Sequence, residues 1–334
     1  MLRTSLLALA LGSTALPALA EEVNIYSHRQ PELIQPLIDA FTAETGIDVN
    51  IAFVDKGMVE RLQAEGDRSP ADLVLTVDIA RLMQVVDAGV TQPVQSEVLE
   101  ANIPAEFRDP DDRWFGLTTR ARIVYASKER VADGEVTTYE DLASDKWKGR
   151  ICTRSGTNDY NVALLGAVIA HDGLEKAKTW VEGLKANLAK KPDGGDRDQV
   201  KSIWAGECDI SLGNTYYMGQ MVNDSEQKEW ADSVRIVFPT FEDGGTHMNV
   251  SGVAMTKSAP NKDAALKLME FLSSDEAQHI YAETNHEFPV KPGVERSELV
   301  ASWGEFTPDT LNLMEVAAQR ADALKLMEEV DFDG

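Results

Sequence analysis

Between residues 31 and 44 the apolar positions return every three or four residues, placing Leu33, Ile34, Leu37, Ile38 and Phe41 on one face of a predicted helix. Gly46 supplies its stop, since glycine enters the left-handed region without penalty. Short apolar runs flank it: 23–26 and 48–54 read as strands, and 73–77 as a third strand after a helix over 59–65. A further helix over 79–88 ends at Gly89, with Asp78 placed to cap its first turn. Strand and helix in alternation predict an α/β sheet with ligands at the carboxyl ends of its strands. Tyr26, Ser27, His28 and Arg29 fall at such an end.

The alternation resumes around Ile123 to Tyr125 and runs through a strand at Cys152, helices over 163–170 and 175–190, and strands over 209–212 and 234–238. After the turn-rich segment 242–246, a strand over 250–256 and an amphipathic helix over 262–274 read as a return to the first region. Residues 21–120 with 244–294 are expected to form one lobe, and 121–243 with 295–334 the other. A chain that leaves a lobe and comes back makes a hinge, and the ligand then belongs in the cleft between lobes.

Residues 1–20 carry one Arg ahead of an interrupted apolar run and end in Ala18-Leu19-Ala20. That is the pattern of a cleavable secretory signal, so export to the periplasm is expected. No Cys stands at the cleavage point to take a lipid, and no later run approaches the roughly 20 apolar residues of a membrane span. In an oxidising compartment the two cysteines, Cys152 and Cys208, are expected to bridge. With 56 acidic against 32 basic residues the formal charge is −24, which disfavours nucleic acid and anionic lipid as partners. It suits a cationic ligand, a basic docking partner, or simple solubility.

Six stretches in order carry a resemblance: EGDRSPADLVLTVD at 65–78, WFGLTTRAR at 114–122, WKGR at 147–150, NDYN at 158–161, GNTYYMG at 213–219 and NVSG at 249–252. Together the chain resembles the periplasmic ferric iron-binding proteins of ABC importers, over essentially all of its length beyond residue 20. The resemblance implies a two-lobed type II periplasmic-binding fold that closes over Fe(III), a monomer, and an ABC permease as partner. It implies Tyr160, Tyr216 and Tyr217 as metal ligands. It also implies an arginine beside a carbonate or similar anion, with Arg120 favoured by position and Arg122 second. His28 is a candidate ligand from the first lobe, although relatives carry their histidine slightly later, where this chain has Gln30-Pro31.

Those residue types suit that ion. Ferric iron is a hard trication that prefers anionic oxygen to sulfur. A free phenol, with a pKa near ~10, is neutral at pH 7, and a bound cation drives its proton off. Three phenolates balance three positive charges, and an arginine fork offsets an added anion. The Tyr216-Tyr217 pair cannot serve one ion from a regular strand, where adjacent side chains point to opposite faces. It is therefore expected past the strand end, with Gly213-Asn214-Thr215 supplying the break and an N-cap and the helix beginning at Met218.

Two rival classes stay in view. The same architecture serves polyamines, sugars and organic or inorganic anions, since fold does not determine function. An envelope enzyme is disfavoured by the absence of His-Glu-x-x-His, Gly-x-Ser-x-Gly and a cysteine with a base.

Overall fold

Strand β1 (Glu22–Ser27) lies parallel to β2 (Asp48–Phe53) on one side and to β3 (Leu73–Thr76) on the other. Between the first two runs the helix Pro31–Thr45, which buries Ile34, Leu37, Ile38 and Phe41 and stops at Gly46 in the left-handed region (φ 71°). The computed structural model describes residues 21–54 and 56–334; the expected signal peptide lies outside the described residues.

The element that makes two lobes of one chain is β4 (Phe115–Ser127), 13 residues long and buried throughout. The later strands are β5 (Ile151–Cys152), β6 (Ile210–Asn214), β7 (Val234–Val237), β8 (Met248–Met255) and β9 (Phe288–Pro289). The first half of β4 pairs antiparallel with β8, which continues the first-lobe sheet through β3, and with β9. Its second half pairs antiparallel with β6 and β7, and β5 lies parallel to β6. Accordingly Phe115 and Leu117 pack with Ile25, Phe41 and Leu268, whereas Val124 and Ala126 pack with Trp147, Leu165 and Trp180.

The helix Leu313–Ala318 straddles the lobes. Its Leu313 packs against Ile79 and Leu82, and its Val316 against the second-lobe core. Cys152 on β5 and Cys208 ahead of β6 are bridged, with Cα atoms 5.8 Å apart, as the compartment argument expects. Among the described residues no helix is long and apolar enough to cross a membrane.

Most predicted elements appear within a few residues of their expected bounds. The helix expected over 175–190 ends earlier, at Ala186. Asn187 leaves the helix because its amide donates to the carbonyls of Leu142 and Ser144, and Leu188 then pairs with Ile151 as an added edge.

Candidate metal centre

A cavity of about 200 Å³ lies between the lobes, with Tyr160, Tyr216 and Tyr217 on its second-lobe wall and His28, Arg29 and Glu287 opposite. Tyr160 is the second residue of the helix Asp159–Asp172, whose Asn158 caps the first turn by accepting from the Tyr160 amide at 3.1 Å. Tyr216 and Tyr217 open the helix Tyr216–Asn223, directly after β6.

The helix therefore begins two residues before the expected Met218. Thr215 makes no side-chain cap; its Oγ1 accepts from the Ala121 amide at 3.4 Å and its own amide donates to Ala121 O at 3.1 Å. Clamped to the hinge strand, Thr215 is free to turn the chain but not to cap it. The earlier start resolves the geometric problem of the pair: consecutive helical residues differ by about 100° rather than 180°, so both rings reach one side. The rings lie 4.3 Å apart, centroid to centroid, and Tyr216 Oη donates to Tyr160 Oη at 3.3 Å. Gly213 allows this turn, because a Cβ there would sit 2.2 Å from Tyr125 Cε2, whose hydroxyl holds Asn214 O at 2.6 Å.

Burial pushes the Tyr216 phenol well above its ordinary pKa, and the neighbouring Tyr160 and Tyr217 add to the shift. Tyr217 is raised for the same reasons, burial first and then Tyr160. Cations stand close by. The guanidinium carbon of Arg154 is 5.2 Å from the Tyr160 ring centre, and that of Arg120 is 5.8 Å from the Tyr216 ring centre. Among the described residues no three His, Cys, Asp or Glu side chains are grouped to hold a metal ion.

The first-lobe wall has a different construction. His28, half-buried, follows β1 and donates its amide to Leu75 O at 2.9 Å, while Ser27 Oγ locks the turn by accepting from the Arg29 amide at 2.9 Å. Arg29 donates to both carboxylate oxygens of Glu287, at 2.8 and 3.2 Å, and to Ser251 Oγ at 2.5 Å. Arg120 reaches the same Glu287 at 2.6 Å, the same Ser251 Oγ, and Val77 O at 2.9 Å. Burial would raise the Glu287 carboxyl, but Arg29 and Arg120 outweigh it and hold the group below the usual carboxylate range.

Arg122, the second anion candidate, does not line the cavity. It stands two residues along β4 from Arg120, past the point where the strand changes partner: Arg120 pairs with Asn249 on β8, Arg122 with Asn214 on β6. Its guanidinium donates to Asp196 at 2.6 Å, to Asn161 at 2.7 Å and to Asn214 at 3.1 Å, bracing the turn beside Tyr160 and the turn before Tyr216. Sequence reasoning missed Glu287, Ser251 and Arg154, none of which carries a local signature. It also missed the pair Arg81–Asp159, at 2.6 Å, which crosses the cleft beside Tyr160. Asp78 caps its helix as expected, accepting from the Ala80 amide at 2.7 Å.

The family model of bacterial extracellular solute-binding proteins matches residues 27–279. Iron uptake protein A1 of Synechocystis sp. is 45% identical over 320 residues, covering 95% of this chain and 89% of that protein. Apo ferric ion-binding protein A of Pasteurella haemolytica is 55% identical and superposes with a TM-score of 0.91 over 94% of this chain and 99% of its own. A Trichodesmium protein solved in complex with iron and citrate is 41% identical, with a TM-score of 0.87 over 93% and 99%. Lobes, hinge and match agree: the chain belongs to the bacterial extracellular solute-binding proteins, a family of binding proteins rather than enzymes.

Proposed function

We propose that this protein captures Fe(III) as cargo through the phenolates of Tyr160, Tyr216 and Tyr217, with His28 as a donor from the first lobe, and delivers it to an ABC permease. The observation that carries the reading is the meeting of three phenols from two helix N-termini on one cavity wall, with Tyr216 and Tyr160 hydroxyls 3.3 Å apart. Phenols so grouped serve a hard trication once deprotonated. Partial positive charge at the two helix starts further favours the phenolate forms.

A carbonate or similar anion completes the shell on the arginine side. Arg120 retains a buried Nε with no hydrogen-bond partner among the described residues, and Arg29 and Arg154 share the wall. Those cations oppose a polyamine as ligand, so within this fold an organic anion is the alternative cargo. The relatives named for iron uptake and ferric iron binding support the iron reading; export through residues 1–20, a periplasmic monomer and the lobe limits expected from the sequence belong to the same proposal.

Titrating the apo-protein with chelated ferric iron is expected to give a visible phenolate-to-iron charge-transfer band, absent from Tyr216→Phe/Tyr217→Phe. Spermidine and ferrous iron serve as controls. A protein that stays colourless and holds no iron against a competing chelator would refute the reading.

A further inference from the structure

Behind the hinge lies a second cavity, of about 720 Å³, within the range that small organic ligands occupy. It shares no lining residue with the cleft. Thr119 and Met248 line it, whereas Arg120, paired in register with Asn249, faces the cleft. Successive residues of a strand point to opposite faces, so the two cavities back onto opposite sides of the same hinge strands. Walls from both lobes meet there: Phe288 on β9 pairs with the hinge at Thr119, and Val316 belongs to the helix that straddles the lobes.

The chemistry of the rear cavity is apolar with one uncommitted cation. Phe288 and Phe306 lie 5.4 Å apart, and the Arg296 guanidinium carbon is 5.0 and 5.1 Å from their ring centres. Arg296 has no ion-pair partner among the described residues. Asp309 on the same wall is already taken by His171 at 2.8 Å, and Glu106 is exposed to solvent. His247, also on the wall, is kept neutral, its pKa lowered to about 4 by burial.

We propose that this cavity is a second ligand site, for a small amphipathic carboxylate whose apolar body packs on Phe288 and Phe306 and whose carboxylate pairs with Arg296. Rotation about the hinge strands that narrows the front cleft widens the space behind them. An occupant there acts as a wedge that favours the closed form, because a ligand shifts an equilibrium toward the state it fits better.

Decanoate is the probe, titrated calorimetrically into the iron-free protein, with decyltrimethylammonium as the opposite-charge arm. One saturable site for decanoate is expected, weakened about tenfold or more in Arg296→Ala, as for loss of a charged hydrogen bond. Val294→Trp, which fills the cavity from its wall, is expected to abolish binding, with melting curves confirming that both variants fold. Small-angle scattering of the iron-free protein is expected to show a smaller radius of gyration with decanoate. No decanoate binding, equal binding by Arg296→Ala, or equal binding of the cation overturns the site; an unchanged radius overturns the wedge. Neither readout uses iron, so the outcome is independent of the cargo proposed above.

Discussion

On the second-lobe wall of the cleft, Tyr216 and Tyr217 keep their protons because burial and neighbouring phenols oppose charge. Across the cavity, the guanidiniums of Arg29 and Arg120 close on the Glu287 carboxylate. One wall holds latent negative charge that a metal has to release; the other sets two guanidiniums on one carboxylate, a pairing made within the protein that leaves one positive charge over. The contrast separates two jobs. The phenol wall gains its interactions when cargo arrives, and the arginine–glutamate wall is finished as a scaffold beforehand, keeping Arg120 Nε for the anion. A partly satisfied buried polar network is costly, whereas a satisfied one fixes geometry.

The largest expected effect breaks the finished wall. Arg29, Arg120 and Glu287 are all about 3% exposed, so Glu287→Ala strands two buried guanidiniums and is expected to lower stability by about 3–5 kcal/mol, read from the urea midpoint. Glu287→Gln, which keeps an acceptor, is expected to cost less. Because the Glu287 pKa is depressed in the folded chain, its contribution is present above the unfolded value of ~4.3 and disappears as pH falls through the lower folded value. A Glu287→Ala protein as stable as the parent would show that the wall is not held by this pair of bridges.

The next effect tests the other wall. A phenol keeps its proton at neutral pH, Tyr216 and Tyr217 the more firmly for their raised pKa, so binding a metal through three phenolates releases three protons. Ferric affinity is expected to fall by up to about a thousandfold for each pH unit of acidification, one factor of ten per proton. Apo-protein stability moves in the opposite sense. These raised phenols favour the fold below the unfolded value of ~10, and that contribution is lost as pH rises through their folded values. Competition with a chelator across pH 6 to 8 reads the first slope, and urea melts near pH 10 the second. A pH-independent affinity would mean that the donors are not phenols.

The two walls also differ in how much of them could be read in advance. Tyr160 and the Tyr216-Tyr217 pair were singled out because NDYN and GNTYYMG resemble stretches of the ferric iron-binding proteins; what the residues announce by themselves is the turn before the pair, in GNTYY. Gly46 and Asp78 were legible for the same reason: a helix end is specified by its neighbours. The Arg29–Glu287 bridge joins positions 258 residues apart, and nothing near Glu287 marks it as the base of a site. Arg120 and Arg122 were separable neither by composition nor by strand phase, since residues two apart share a face; what separates them is the partner strand each meets, β8 for Arg120 and β6 for Arg122. The formal charge of −24 likewise said nothing local, since the cleft is lined by Arg29, Arg81, Arg120 and Arg154.

His28 gives the smallest expected effect and the sharpest link between the walls. It stands on the finished wall, yet it is half-buried and lines the same cavity as the phenols. As a neutral imidazole it brings no charge to a trication, and water can take its place, so His28→Ala is expected to weaken ferric binding by about tenfold, the low end for perturbing a metal site. The variant is expected to keep its fold, because the backbone of His28 and the hydroxyl of Ser27 hold the turn, and a melting curve checks this. A shifted charge-transfer band together with the weaker affinity would make His28 a ligand that couples lobe closure to capture. If band position and affinity both match the parent, the iron is held by the second lobe and its anion, and the first lobe serves only to cover it.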